Sequence, residues 1–378
     1  MNINLGRLSC LQMQMFAVVL LFLGCCLFQA KAAGSPSVLK PDELEKFIKR
    51  HPEYNGLYCS SLAFFKGKLY VASNVGLLEI DNDFLSKTYK WKESSGEAPR
   101  VDLANGQIWV QIADNFAVFD GNVWRAVSGP TPQKGYFTRG EILEGFHDVS
   151  TPDSFWLTGA GCAWCWNVER RNWEEKLNLP TFKNGNRLGK VWRLFFVENK
   201  PLIVVRYEPG WLIHGRERLK TRVHGDRIAT NLISDKVYYY DNRWIEVSNA
   251  VTTPIYIEQA VSAGKRAFMR SDEDEIYQVD PLGISKLTVP GKCKALTITG
   301  SNNLLASFRD LGVYELTSDW KLRFKVSCTQ TNMDDHVYLA EDHGKIAIVY
   351  DNFQTSGLWI FNGAELKRFE FPKAVQTK

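Results

Sequence analysis

The chain has 378 residues, a formal net charge of +4, and 45% hydrophobic and 13% aromatic residues. So small a positive excess, with no basic run, gives no electrostatic case for nucleic acid. The length exceeds what one simple core encloses, so two domains or one repeat array is expected.

At the N-terminus, Arg7 precedes the apolar run MFAVVLLFLGCCLF (Met15 to Phe28) and small residues spaced as Ala30-x-Ala32. A basic start, about 14 apolar residues and a small-residue site make a secretory signal, too short to span a bilayer comfortably. Cleavage is expected after Ala32, which makes the protein secreted or periplasmic. A lipid anchor at Cys25, behind Gly24, is the competing reading. It is weakened by Phe22 in place of the usual Leu and by apolar residues continuing past the cysteine. No other stretch approaches the roughly 18 apolar residues of a membrane span, so none is expected.

Removing residues 1–32 takes away Arg7 and Lys31 and leaves a charge of +2. It also removes Cys10, Cys25 and Cys26. Cys59, Cys162, Cys165, Cys293 and Cys328 stay; an odd number spread this widely is no disulfide scaffold, and their pairing is left open.

PDELEKFIKRHP then reads as a short helix. Pro41 and two acids open it, Leu44, Phe47 and Ile48 form an apolar face, and Pro52 stops it. Beyond it the chain repeats itself. GKLYVASNVGLLEIDND from Gly67 and GQIWVQIADNFAVFDGNVW from Gly106 share one order: turn, apolar strand, polar turn, apolar strand, Asp or Asn turn. Further copies start at Asp153, Lys200, Asp226, Gly264, Asn302 and Gly344. From Gly67 to Gly344 there are 277 residues over seven steps. That is about 40 per step, the length of a four-stranded propeller blade.

In the first unit YCSSLAFF, LYVAS, LLEID and KTYKW are strands A to D from the axis outward. The steps are uneven around 200 to 226, where one unit looks short of its innermost strand. An all-β single β-propeller is expected, with eight four-stranded blades favoured, seven as the alternative, and a short N-terminal helix. The chain divides into a signal (1–32), a lead with the helix (33–56), the propeller (57–371) and a tail (372–378).

The units LYVASNVGLLEID, IWVQIADNFAVFDGNVW and LLASFRDLGVYEL resemble the repeats of the two-component-regulator propeller family over about 57–371. The resemblance implies the propeller fold and, more loosely, an extracytoplasmic sensing or binding role. Nothing here resembles the membrane span, kinase or DNA-binding parts that accompany such propellers, which puts direct signalling in doubt. The Gly-His and Trp-Asp pairs of WD40 blades are missing.

In a propeller the B–C turns and D–A connections emerge on one face, where binding residues concentrate on a rigid ring. The B–C turns are expected to hold Asn74, Asp114, the segment 159–165, Tyr207 with Trp211, Asp235, Asp272 to Glu275, Arg309 with Asp310, and Tyr350 with Asp351. The D–A connections add Arg100, Tyr136, Arg139, Lys183, Arg187, Asp334, Asp335 and His336. Of these, Arg139, Arg187, Tyr207, Trp211, Arg309, Asp310 and Tyr350 are the ligand-binding candidates. Asp334, Asp335 and His336 are weak catalytic candidates.

DEDE at 272–275 lacks the Gly and distal Glu of a calcium loop and reads as a solvated hairpin turn. CAWC, Cys162 to Cys165, opens a strand rather than a helix. It therefore reads as a local bridge or two buried thiols, not a redox motif. His147-Asp148 has no matching partner cluster. Trp91, Trp124, Trp173, Trp244 and Trp320 recur at or near the opening of strand D and read as packing between blades; Trp211, beside Pro209 and Gly210, is the better stacking residue. Phosphate loops, a Gly-x-Ser-x-Gly elbow and a His-Glu-x-x-His helix are missing.

The reading that results is a secreted platform, expected to be monomeric, that binds a protein or carbohydrate partner without evident catalysis, cofactor or metal. The alternative is a glycan-active hydrolase or lyase. It would use Asp334, Asp335 or His336 as acid and base and Arg309 to steady a sugar acid.

Overall fold

A computed structural model describes residues 36–51, 59–91, 100–112, 115–130, 154–159, 162–179, 182–184, 187–207, 210–213, 222–224, 227–230, 235–247, 255–326, 336–351 and 356–369. These residues form seven antiparallel sheets set as blades of one ring, plus one small extra sheet. Blade 1 runs through strands A (Cys59–Phe65), B (Lys68–Ser73), C (Gly76–Asp81) and D (Phe84–Lys90). Blade 2 repeats the order over Arg100–Ala104, Gln107–Ile112, Asn115–Phe119 and Trp124–Ser128. Blade 3 shows Trp156–Gly159, Cys162–Asn167 and Asn172–Asn178 as strands B to D.

Blade 4 has Arg187–Val197, Lys200–Tyr207, Lys236–Tyr240 and Trp244–Glu246; blade 5 has Ile257–Ala263, Arg266–Ser271, Ile276–Asp280 and Gly283–Lys286. Blade 6 has Cys293–Ile298, Leu304–Phe308, Gly312–Leu316 and Trp320–Phe324, and blade 7 has His336–Asp342, Lys345–Asp351, Ser356–Phe361 and Leu366–Phe369.

The blade count is seven, which corrects the favoured eight. The units starting at Lys200 and Asp226 belong to one blade, since strand B pairs directly with strand C (Leu202 opposite Tyr239, Val205 opposite Lys236). Between them Gly210–Ile213, Arg222–His224 and Arg227–Thr230 form the extra three-stranded sheet. Short apolar runs of an inserted sheet have the same local pattern as blade strands, so periodicity alone counted them as a blade.

Local chemistry sets the hairpins. The A–B turns of blades 1, 2, 4 and 7 place both central residues at positive φ: Lys66-Gly67, Asn105-Gly106, Glu198-Asn199 and His343-Gly344. That is the turn whose twist matches the flanking strands. At the start of strand C, Gly76 (φ 132°) and Gly312 (φ 112°) lie where a Cβ would run into the carbonyls of Tyr89 and Phe324 on strand D. The B–C turn therefore ends in glycine in both blades.

The core lies between blades. Seven hydrophobic clusters of described residues each join one neighbouring pair, from blades 1 and 2 round to blades 7 and 1. Seven such interfaces close a ring of seven. Indole N–H groups mark three of them at the rim. Trp173 donates to the carbonyl of Ser128 (2.8 Å), Trp244 to Asn178 (3.1 Å) and Trp320 to Thr288 (2.9 Å), each time from the opening of one strand D to the exit of the preceding one. Trp124 stacks on Phe119 and meets Trp91 edge-on at 5.2 Å; Trp91 follows its strand D rather than opening it.

The N-terminal helix α1 spans Pro41–Arg50, with the Glu43 carboxylate accepting the Lys40 N–H at 2.8 Å. Its Leu44 and Ile48 are buried in the cluster that joins blades 7 and 1. A strand at Ser37–Leu39 pairs outside strand D of blade 1.

Candidate loop-face site

The A strands of blades 1, 4, 5 and 6 each slip register by one residue, at Ser60, Trp192, Glu258 and Lys294. A bulge of this kind re-aims the side chains around it. In three blades the residue after the bulge reaches the next blade. The Ser61 hydroxyl accepts the Val101 N–H (2.7 Å), Arg193 donates to the Glu258 carbonyl (2.8 Å), and the Gln259 amide both donates to and accepts from the Leu296 backbone (2.7 and 2.9 Å).

Two bulged residues carry charge toward the preceding blade, with opposite signs. The Glu258 carboxylate lies 3.6 Å from the Arg206 guanidinium of blade 4, and the Lys294 ammonium lies 2.6 Å from Asp274 of blade 5. Arg206 also forks onto Asp235 through Nε (3.1 Å) and Nη2 (2.9 Å), and donates to the Ile257 carbonyl at 2.6 Å. The Ile257 N–H in turn donates to Asp235 at 2.7 Å. The Asp235 side chain is fully buried, and burial pushes its carboxyl above the usual 3.8 against the opposing pull of Arg206. Arg270 joins Asp274 at 3.5 Å. Together these groups form an arc of both charge signs over blades 4 to 6, at the end of the ring where the B–C turns and D–A connections emerge.

Several expected site residues fall on or beside this arc. Arg309 is half-buried, and its N–H donates to the Lys292 carbonyl (2.9 Å); Asp310, next to it, is exposed in the turn with φ 59°. Asp272 to Glu275 form a hairpin turn in which Glu273 is exposed while two carboxylates are held by neighbours, Asp274 by Lys294 and Glu275 by Lys286 and Tyr277. Tyr207 and Tyr350 end B strands in the interior, 3% and 6% exposed. Their hydroxyls meet those of Tyr238 (3.1 Å) and Ser307 (3.0 Å).

Arg187 opens strand A of blade 4, His336 opens strand A of blade 7, and Trp211 lies in the inserted sheet opposite Ala229. Asp114, Tyr136, Arg139, His147, Asp148, Cys328, Asp334, Asp335 and the residues of the signal lie outside the described residues. Sequence reasoning missed Arg206, Glu258 and Lys294. A lone Arg inside the apolar strand KPLIVVRY was the available sign for the first; a bulge has no such sign.

Cys59, Cys165 and Cys293 are free thiols, so the local bridge entertained for Cys162 and Cys165 is not formed. The two lie three apart in one strand. Burial raises the Cys165 thiol and pushes Cys293 up to about 12, opposite to the shift of a redox thiol. Among the described residues, no three His, Cys, Asp or Glu side chains are grouped to hold a metal ion, and no helix is long and apolar enough to cross a membrane.

No family model matches the sequence, and no curated protein matches it. Solved structures do. The chain is similar to the extracellular domain of the hybrid two component system BT4673 of B. thetaiotaomicron, at 12% identity and a TM-score of 0.47, covering 88% of this chain and 38% of that one. In a second structure of that domain the TM-score is 0.49 and the shares are 86% and 46%, so the chain spans less than half of either BT4673 chain. The β-propeller domain of the Trilobed protease from Pyrococcus furiosus matches at 10% identity and a TM-score of 0.50, over 83% of this chain and 98% of that one. Likeness at such identity establishes the propeller fold, which is the fold that the repeat resemblance implies.

Proposed function

We propose that this protein is an exported propeller that binds a protein or carbohydrate ligand through the face of its B–C turns and D–A connections. The observation that carries the reading is the charged arc over blades 4 to 6, whose Arg206, Glu258, Asp274 and Lys294 are held by bulges and cross-blade ion pairs. Groups fixed in this way lose little conformational freedom on binding, which favours recognition. The signal-like N-terminus supports export. Arg309 and Asp310 extend the arc, Arg187 is proposed to extend it from the connection into blade 4, and Arg139 is proposed to add to the same face from the connection between blades 2 and 3.

The test is charge reversal of Arg139, Arg187 and Arg309 together, with recovery of bound partner from the exported fraction as the measurement. Recovery is expected to fall at least about tenfold, the scale of losing charge-assisted contacts. Unchanged recovery overturns the loop-face reading.

A further inference from the structure

Away from the loop-face arc, the rim between blades 2 and 3 opens into a cleft of about 520 Å³. One wall is the exit of strand D of blade 2, residues 126–130. The other is strand C of blade 3 and the turn beyond it, with Trp164, Trp166, Arg171, Asn172 and Trp173. The volume falls within the roughly 300–1,000 Å³ of small-molecule sites, and aromatic walls with a few polar groups are their usual lining.

The aromatic wall is rigid. Trp164 and Trp166 are two apart in one strand and share a blade face. Trp166 meets Trp173 edge-on at 5.2 Å and Trp109 at 5.6 Å, and Trp109 is itself stacked on Phe155 at 4.2 Å. Trp173 is tied across the cleft by its bond to the Ser128 carbonyl. Rings braced from behind present a fixed apolar surface at little entropic cost.

Besides the bonded Trp173 and Ser128, three polar side chains at the cleft have no partner among the described residues. Arg170 is bonded to Glu174 at 3.2 Å, whereas the neighbouring Arg171 guanidinium has no ion-pair or hydrogen-bond partner among the described residues. The Asn172 amide and the Trp166 indole N–H likewise have none among the described residues.

We infer that this rim cleft is a binding site for an acidic sugar unit. A pyranose has an apolar C–H face that fits a tryptophan wall and a hydroxyl edge that fits an amide and an indole N–H. A sugar carboxylate or sulfate supplies a counter-charge for Arg171, with two oxygens that a guanidinium fork can bond together. An extended apolar peptide would cover the rings and leave that guanidinium without a counter-charge.

The purified protein is titrated with oligogalacturonate, a chondroitin oligosaccharide and sialyllactose, and with a neutral oligosaccharide of matched length. Binding is followed by calorimetry and tryptophan fluorescence. At least one acidic sugar is expected to bind more tightly than the neutral one. Arg171→Gln, on an exposed turn, is expected to weaken it about tenfold or more with no change in Tm. Ala126→Trp, which places a ring in the cleft and leaves Trp164, Trp166 and Trp173 unsubstituted, is expected to abolish it. The inference is overturned if no acidic sugar binds, if none binds more tightly than the neutral oligosaccharide, or if either variant binds as the parent does. Because the loop-face arginines are intact in both variants, this outcome is separate from that of the partner-recovery experiment.

Discussion

Glu79 shows how one buried polar residue is made tolerable in a strand read as LLEID. Its carboxylate is almost wholly buried in blade 1, yet it accepts bonds from the Lys68 ammonium (2.8 Å), Ser86 (2.8 Å), Tyr89 (2.6 Å) and Tyr70 (3.2 Å). Burial acts to raise this carboxyl, but the bonds from Lys68, Tyr89 and Ser86 outweigh it and hold it below 4.5. A depressed folded-state value adds stability that is present above the ordinary value and is lost as pH falls through it. Thermal unfolding followed across pH is therefore expected to show Tm falling below about pH 4.5. Glu79→Gln should lower Tm at neutral pH and flatten the acid limb; an acid limb as steep as the parent's would refute the assignment. The partners lie seven to eleven residues away on other strands, so the sequence showed a polar residue without its network. The same limit hid the fate of Tyr207 and Tyr350: they stand at strand ends, and only the fold decides that such a ring turns inward.

At the scale of elements, the strands were legible because alternation, Gly and Asp turns and the step of about 40 residues all point to hairpins of one kind. The tryptophans at Trp173, Trp244 and Trp320 were legible as architecture for the same reason, since a feature that recurs once per blade reports the interface between blades. What their recurrence does not reveal is the bond each makes. Trp320→Phe keeps most of the ring contact with Phe308, now at 5.1 Å, and removes only the N–H donated to Thr288. The expected cost is about 1 kcal/mol in urea unfolding, the net worth of one hydrogen bond. A cost near zero would mean that water replaces the indole, and that stacking alone locks the rim. The inserted sheet and the A-strand bulges were not legible. An insertion with short apolar runs keeps the blade pattern, and a one-residue slip leaves composition unchanged while redirecting Glu258 and Lys294 toward their partners.

At the scale of the whole molecule, the question is what keeps the ring shut. All four strands of blade 7 come from residues 336–369 and the four A–D strands of blade 1 from 59–90, so no described strand is shared across the seam. Closure there rests on side-chain packing and on α1. Leu44 and Ile48 enter the cluster that holds Ala340, Ala347, Val349, Leu358 and Ile360 of blade 7 with Leu62, Phe64, Val71 and Leu78 of blade 1, and Phe369 packs against it. Lys345 and Lys367 of blade 7 lie 3.5 and 3.7 Å from the half-buried Asp83 of blade 1 and add a charged contact to this packing. The helix therefore acts as a clasp. Leu44→Ala and Ile48→Ala are each expected to cost about 2–5 kcal/mol, as buried aliphatic truncations do. The loss should also be local in its first effect. Hydrogen exchange is expected to lose protection earliest in strands A of blades 1 and 7 (Cys59–Phe65 and His336–Asp342), while blades 4 and 5, far round the ring, keep theirs until global unfolding. Uniform loss of protection around the ring would show instead that the seam is no weaker than the other six interfaces, and that α1 only adds to a ring already closed.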